Sequence, residues 1–538
     1  MQHTTKWVFA TALVTLPLLL LAEERPDLFT VNRIKAEAFE DSKVMDHMFY
    51  LTDANGPRLT GSPGYQTAAD WVVKRLQEYG LVNVHQEKWG PFGRGWTNTH
   101  FEAHLLEPSY APLIGFPLAW TASTQGTVSG QPMMAVIKTD ADFEKFRGKL
   151  KGAIVMTDAL KELAFPTAPQ GRRLTDAELS AEALALDPAS RGGFGPPRPP
   201  GQPALSPEEA RKEREERRKF REKVGDFLRD EGALLAISYG QSGEAGTVFA
   251  SQGGPYENKK HLAIPMVALT PEHYNRIARL LDHKIPVKVA FNIQNQVVED
   301  PPTVNVVGEI PGNSKKDEIV MLGAHLDSWH GGTGATDNAA GSAVMMEAVR
   351  ILNTLDLKMD RTVRIALWSG EEEGLLGSKA YVKEHFADVE TMKLTAEHSK
   401  LSGYFNYDNG TGKIRGIYLQ GNDMARPIFE AWLAPFKDLG ASTVSIRNTG
   451  GTDHLSFDAI GLPGFQFIQD PMDYMTRTHH SNMDTYDRIQ PGDLMQASAI
   501  IATFVYETAV RPEMLPRKPL PKAQPKKPEE SERRSTSP

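Results

Sequence analysis

The sequence predicts an α/β protein: a mostly parallel sheet flanked by helices, interrupted by an inserted, mostly β domain. Three observations predict it. Strand-like and helix-like stretches alternate through residues 299–510, the order that builds a parallel sheet covered on both faces. Between residues 106 and 298 the texture shifts to short β-like runs separated by glycine turns. At 538 residues the chain exceeds what one compact core holds, so two folded units with tails are expected.

The elements follow in order. Lys6 precedes an apolar run from Trp7 to Ala22, broken only by Thr11, Thr15 and Pro17, before Glu23-Glu24-Arg25-Pro26 turns polar. A basic start, a short apolar core and a small boundary residue predict a secretory signal over residues 1–22, removed on export. The alternative is an uncleaved membrane anchor, for which the run is short. No other stretch is long and apolar enough to span a bilayer, so no stable membrane insertion is expected after cleavage. Residues 23–105 read as the N-terminal part of the larger domain. Ser42 to Thr52 and Tyr65 to Tyr79 show helical spacing, with Ala68, Ala69, Val72, Val73, Leu76 and Tyr79 on one face. Between them, Asn55 to Gly64 is a turn-rich loop.

Within the insert, Ala135-Val136-Ile137, Ala153 to Met156, Ala233 to Ile237 and Val287 to Phe291 read as strands. Residues 161–206 are rich in proline, alanine and glycine, which predicts an extended or disordered loop. Residues 207–224 are dense in both charges and lack an apolar stripe, which favours a solvated surface helix over a partner-binding one. Beyond the insert, Glu318 to Gly323, Thr362 to Trp368 and Gly464 to Ile468 read as strands. Ala339 to Leu352, Leu375 to Glu384 and Pro491 to Glu507 read as helices. Residues 511–538 carry Pro516-Arg517-Lys518-Pro519 and Pro525-Lys526-Lys527-Pro528 and are expected to be disordered.

Composition narrows the chemistry. A formal net charge of -8 argues against a general nucleic-acid binder. The chain has no cysteine, which removes disulfides, thiolate metal sites and a cysteine nucleophile together. Any metal must therefore be held by nitrogen and oxygen.

Acids and imidazoles cluster at the predicted strand ends, where open α/β sheets place their sites. His325 follows the first core strand, and Asp327 lies two residues on, within reach of its imidazole. Gly331 to Asn338 is a glycine-rich loop running into a helix; its Asp337 suits either a bridge between two cations or a helix N-cap. Glu371, Glu372 and Glu373 end a strand. They complement a helix N-terminus, or divide so that one binds metal and its neighbour faces the attacking water. Asp408 ends another strand, and His479-His480 supplies a late imidazole, of which one is expected to ligate.

Taken as a set, these residues resemble the co-catalytic zinc metallopeptidases of family M28, which include bacterial aminopeptidases and plasma glutamate carboxypeptidase. The motifs are H-x-D at His325/Asp327, D-N-x-x-G at Asp337 to Gly341, E-E-x-G-L-x-G-S at Glu371 to Ser378, Asp408, and H-S-x-x-D-T at His480 to Thr485. The resemblance covers roughly residues 302–510, with a weaker likeness over Gly56 to Gly80. It implies two Zn2+ ions: His325 and Asp408 on one, Glu372 and His480 on the other, and Asp337 bridging them. It further implies Glu371 as general base and Asp327 as the residue orienting His325. The insert resembles a protease-associated domain, although its Pro-rich and charged interruption departs from the compact form. Asp337, Glu371, Glu372 and Asp408 carry about four negative charges, and two divalent ions would balance them.

The resulting expectation is an exported dizinc exopeptidase acting on peptides, an aminopeptidase first and a dipeptidase or carboxypeptidase-like enzyme second. Two other readings are weaker. A noncatalytic receptor on the same fold would have lost ligands that are intact here, and an acyl cyclase of the superfamily would use a single zinc. Gly450 to His454 is expected near the cleft, with Asp453 supporting the site.

Overall fold

The computed structural model describes residues 24–190, 207–240 and 243–524. Its centre is an eight-stranded sheet made of β1 (Val82–Trp89), β2 (Thr303–Ile310), β3 (Lys315–His325), β4 (Arg361–Trp368), β5 (Leu401–Asn406), β6 (Ile414–Tyr418), β7 (Thr443–Ser445) and β8 (Gly464–Gln469). The spatial order is β1-β2-β4-β3-β5-β8-β6-β7. Strands β4, β3, β5 and β8 run parallel, while β1, β2 and the β6–β7 pair attach antiparallel to the strands inside them. The parallel middle matches the alternating strand–helix order, and the antiparallel flanks make the sheet mixed.

Side-chain alternation divides the sheet into two cores. Val320, Leu322, Ile365, Leu367 and Phe405 face a helical layer of α1 (Leu28–Glu40), α2 (Val44–Phe49), α3 (Pro63–Glu78), α4 (Ala340–Thr354) and α6 (Pro491–Val510). Met321, Ala366, Trp368 and Tyr404 face the opposite side, where α5 (Leu376–His385) contributes Tyr381 and Val382. This period of two is what a strand covered on both faces requires. Ser62 caps α3 by accepting the Tyr65 N–H at 3.2 Å, and Pro63 occupies its first turn.

The insert leaves and rejoins on one antiparallel ribbon, Arg94–Glu107 against Lys288–Glu299. Beyond the ribbon lies a five-stranded sheet in the order Gly115–Pro117, Met266–Leu269, Leu235–Tyr239, Ile154–Met156, Pro132–Met134. Three helices accompany these strands, Asp140–Phe146, Pro207–Asp230 and Pro271–Asp282; the first two are polar in sequence, while the last buries Tyr274, Ile277 and Ala278 on one face that the sequence reading passed over. The charged helix extends over Pro207–Asp230. Ala135-Val136-Ile137 is not a strand; the pairing falls on Pro132–Met134 instead.

Two expectations of disorder are corrected. Part of the 161–206 loop is an arm docked on the larger domain: Arg173 reaches Asp470 and Asp493 at 2.9 and 2.8 Å, and Glu182 pairs with Arg447 at 2.7 Å. The arm holds a helix, Asp176–Ala183, closed by a Thr175–Glu178 capping box. Local proline and alanine content conceals these long-range ion pairs. The tail expected to be disordered instead packs at the start of β5 and is described as far as residue 524, with Leu515 1% exposed and the Arg517 guanidinium donating to the Leu401 carbonyl. Residues 191–206, 525–538 and the predicted signal at 1–22 lie outside the described residues. Among the described residues, no helix is long and apolar enough to cross a membrane.

Candidate metal centre

The predicted site residues converge at the carboxyl ends of the parallel strands. His325 is the last residue of β3, fully buried, and Asp408 follows β5 by two residues. Asp337 sits in the turn preceding α4, which makes the loop–helix junction a presenter of the carboxylate. No side-chain cap is formed there, and Asp337 itself takes non-helical backbone angles. Glu371 and Glu372 occupy the turn between β4 and α5. His480 comes from the Tyr474–Asp484 loop, with φ of 62° placing it in the left-handed region that non-glycine residues enter under tertiary constraint.

Asp337 stands between the two imidazoles. Its Oδ1 is 3.3 Å from His325 Nε2, and its Oδ2 is 3.2 Å from His480 Nε2. On the first side, Asp408 Oδ1 also lies 3.5 Å from His325 Nε2, and Glu371 Oε2 lies 4.0 Å away. On the second side, Glu372 Oε2 is 2.9 Å from His480 Nε2. His479 stacks on His480 with centroids 3.6 Å apart, its Nε2 3.8 Å from Asp337 Oδ2. Donor atoms of His325, Asp337 and Glu372, and those of Asp337, His479 and His480, lie within 4.8 Å of one another.

These groups crowd without satisfying each other. His325 Nε2, Asp337 Oδ2 and Glu372 Oε1 are buried and have no hydrogen-bond partner. Buried polar atoms are ordinarily paired, so converging orphans of nitrogen and carboxylate type fit a divalent cation. Electrostatics point the same way. Burial and the neighbouring Asp337 push the Glu372 carboxyl up to about 7. Burial likewise raises Glu371 well above the usual range, His325 opposing it and Asp408 adding to it. Burial works against protonated His325, yet the Asp408 and Glu371 carboxylates hold it well above an ordinary imidazole.

Around this shell the supports are specific. His325 Nδ1 meets the Asp327 backbone carbonyl at 3.0 Å, with the Asp327 carboxylate farther away at 3.6 Å. That carboxylate instead accepts from Thr60 Oγ1 at 3.0 Å and from the Glu371 and Glu372 N–H groups at 3.4 and 3.3 Å. Asp327 thus ties the first imidazole to the acidic turn. Asp484 accepts the Thr336 and Asp337 N–H groups at 2.5 and 3.2 Å, and burial pushes its carboxyl up to about 7. Asp453 is fully buried, and burial raises it to about 7 as well.

Sequence reasoning assigned no role to Arg58, Thr60 or Trp329. Thr60 lies in the turn-rich loop before α3, and Trp329 packs edge-on to His480 at 6.0 Å. Arg58 and Thr60 were hidden by their distance from the motifs in sequence, whereas Trp329 stands four residues after His325 and carries no ligand atom to mark it. The insert also reaches the centre: Val248 and Asn482 exchange hydrogen bonds at 2.7 and 3.1 Å, two residues from His480.

Comparison with known proteins points to one family. The profile of peptidase family M28 matches residues 305–505. Carboxypeptidase Q of Mus musculus is 26% identical over 484 residues, 88% of this chain and 87% of its own. Aminopeptidase YwaD of Bacillus subtilis (strain 168) is 28% identical over 263 residues, 48% of this chain and 54% of its own. A peptidase M28 precursor from Shewanella amazonensis SB2B superposes with a TM-score of 0.63 at 27% identity, covering 92% of this chain and 98% of the other. With the fold, the strand-end donors and these likenesses in agreement, residues 305–505 match the model of peptidase family M28, and the protein is a metallopeptidase.

Proposed function

We propose that the protein is an exported exopeptidase working with two zinc ions, and an aminopeptidase in the first instance. The observation that carries this reading is the Asp337 carboxylate, which offers one oxygen toward His325 and the other toward His480. His325 and Asp408 would hold one ion, Glu372 and His480 the other, and Asp337 both. Zinc suits a donor set of imidazole and carboxylate, and a Bacillus subtilis relative of the same fold is described as a zinc aminopeptidase. When bound, such ions polarise the scissile carbonyl and acidify a water.

The residues do the rest. Glu371 Oε2 sits 4.0 Å from His325 Nε2 at the edge of the donor cluster. From there it takes the proton of the attacking water and returns it to the leaving amine. Its raised affinity for protons suits both halves of that transfer. Asp327 fixes the Glu371 turn relative to His325 through its backbone and side-chain contacts. The insert, read as a protease-associated domain, borders the cleft.

A dipeptidase or carboxypeptidase-like activity is the second reading, favoured by the length over which relatives named carboxypeptidase Q align. Free, N-acetylated and C-amidated dipeptides separate the two. Cleavage of C-amidated but not N-acetylated peptides is expected, and the reverse pattern overturns the aminopeptidase assignment. Chelator should abolish hydrolysis and zinc restore it; chelator-resistant turnover overturns the metal mechanism. Glu371→Gln is expected to lower kcat by about 10³-fold with metal content intact. Loss of metal instead would mean that Glu371 and Glu372 have exchanged roles.

A further inference from the structure

We propose that Arg58 is a positioning residue for the metal pair: its guanidinium staples together the two loops that present His325 and Asp337. The inference rests on the two-metal reading and deepens it.

Arg58 is an arginine with no solvent exposure, set beside a cluster of acids. Its donors go to none of them. Nε donates to the Leu326 carbonyl at 2.6 Å, NH1 to the Leu51 and Thr333 carbonyls at 2.5 and 2.8 Å, and NH2 to the Gly334 carbonyl at 2.9 Å. Leu326 lies between His325 and Asp327, and Thr333–Gly334 lead into the turn that carries Asp337. One planar group therefore sets the spacing of two stretches of backbone distant from it in sequence. The backbone joins in, with the Arg58 N–H donating to Ser328 Oγ at 3.1 Å and the Ser328 N–H returning to the Arg58 carbonyl at 3.1 Å.

The packing leaves no slack. A Cβ at Gly334 would stand 3.0 Å from the guanidinium NH2 and 2.3 Å from the Ser328 Cβ, and Gly334 has φ of 69°. Glycine is required there by the positive φ and by the close approach of Ser328, with the guanidinium next to it. The chemistry of the side chain also matters. Five donors in a rigid fork can serve carbonyls on separate segments, whereas an ammonium is a single centre on a flexible stem. Burial lowers the guanidinium to about 10, opposed by Asp484, Asp327 and Asp337, so it stays charged at neutral pH. Arg58 thus combines a fixed positive charge with fixed geometry at a site where acids must be held together before metal arrives.

The test is zinc affinity, read by competition with a chromophoric chelator on the full chain, beside kcat and KM. Arg58→Lys keeps the charge and loses the fork. Arg361→Lys is the control, because Arg361 is equally buried and also donates to backbone carbonyls, those of Thr508 and Arg511, but supports the C-terminal segment instead. We expect the parent to bind two zinc ions and Arg58→Lys to weaken binding by about 10–100-fold, with kcat falling more than KM rises. Arg361→Lys should leave affinity unchanged. Equal affinity in Arg58→Lys and the parent, or an equal loss in both lysine variants, overturns the role of Arg58 while leaving the two-metal reading intact. Fewer than two zinc ions in the parent overturns that reading and the proposal together. Should Arg58→Lys fail to fold, Ser328→Ala carries the same comparison, since it removes the Oγ acceptor of the Arg58 N–H and so loosens one of the two links between the Arg58 backbone and that loop; unchanged affinity there overturns the proposal.

Discussion

Asp327 shows how an acid serves a metal centre without ligating it. Its carboxylate accepts from Thr60 Oγ1 and from two successive backbone N–H groups of the Glu371–Glu372 turn. An amide at this position would turn an N–H₂ toward at least one of those donors and leave it unpaired. Asp327→Asn is therefore expected to weaken zinc binding by about 10–100-fold, measured against chelator, with the fold intact by circular dichroism. At this scale much of the site was legible in the sequence. His325, Asp337, Glu371, Glu372 and Asp408 stand at the strand ends or glycine loop where they were read, while His480 comes from the Tyr474–Asp484 loop. The route by which Asp327 acts was not legible, because spacing alone cannot say whether a carbonyl or a carboxylate faces the imidazole. Arg58 and Thr60 were invisible for a related reason: a turn-rich segment gives no sign of the loops, over 250 residues away, that it will grip.

At the scale of elements, α2 and the C-terminal segment bear the most testable packing. His47 on α2 is fully buried, with Nδ1 3.3 Å from the Ala343 carbonyl on α4 and Nε2 2.6 Å from the Tyr79 hydroxyl. Burial lowers its pKa to about 4. The unfolded imidazole titrates near 6.5, so between those values the unfolded chain binds more protons. Stability from this residue is then complete above pH 6.5 and is lost as pH falls toward 4. Urea midpoints measured across that range should fall with acid in the parent and fall less in His47→Gln. Leu515 packs so closely on β5 that a Cβ at Gly403 would lie 2.8 Å from its Cδ1. Leu515→Ala should cost about 2–5 kcal/mol by urea unfolding, whereas an unattached tail would show no change. Periodicity located α2 to α6 and the parallel strands, since their apolar spacing is local, but it passed over α1, Pro271–Asp282 and Arg426–Leu433. It failed for the docked arm and the C-terminal segment, whose order comes from ion pairs and carbonyl contacts with distant elements.

At the scale of the molecule, several attachments join the catalytic sheet to the insert among the described residues, and three of them matter most here. One is the ribbon of Arg94–Glu107 with Lys288–Glu299. A second is the exchange between Val248 and Asn482 beside His480. The third is the arm, where Arg173 and Glu182 are anchored on Asp470, Asp493 and Arg447. A body fixed at one place swings; a body fixed at three well-separated places has no free axis of rotation. The mouth of the cleft is accordingly a frame of set width, not a door. An enzyme built this way admits substrates by fit and spends no part of its cycle waiting for a domain to open, so added glycerol or sucrose should leave kcat unchanged once diffusion of substrate is saturated. A kcat that fell in proportion to solvent viscosity would show instead that a diffusive step, the tripod unlocking or product leaving, limits turnover.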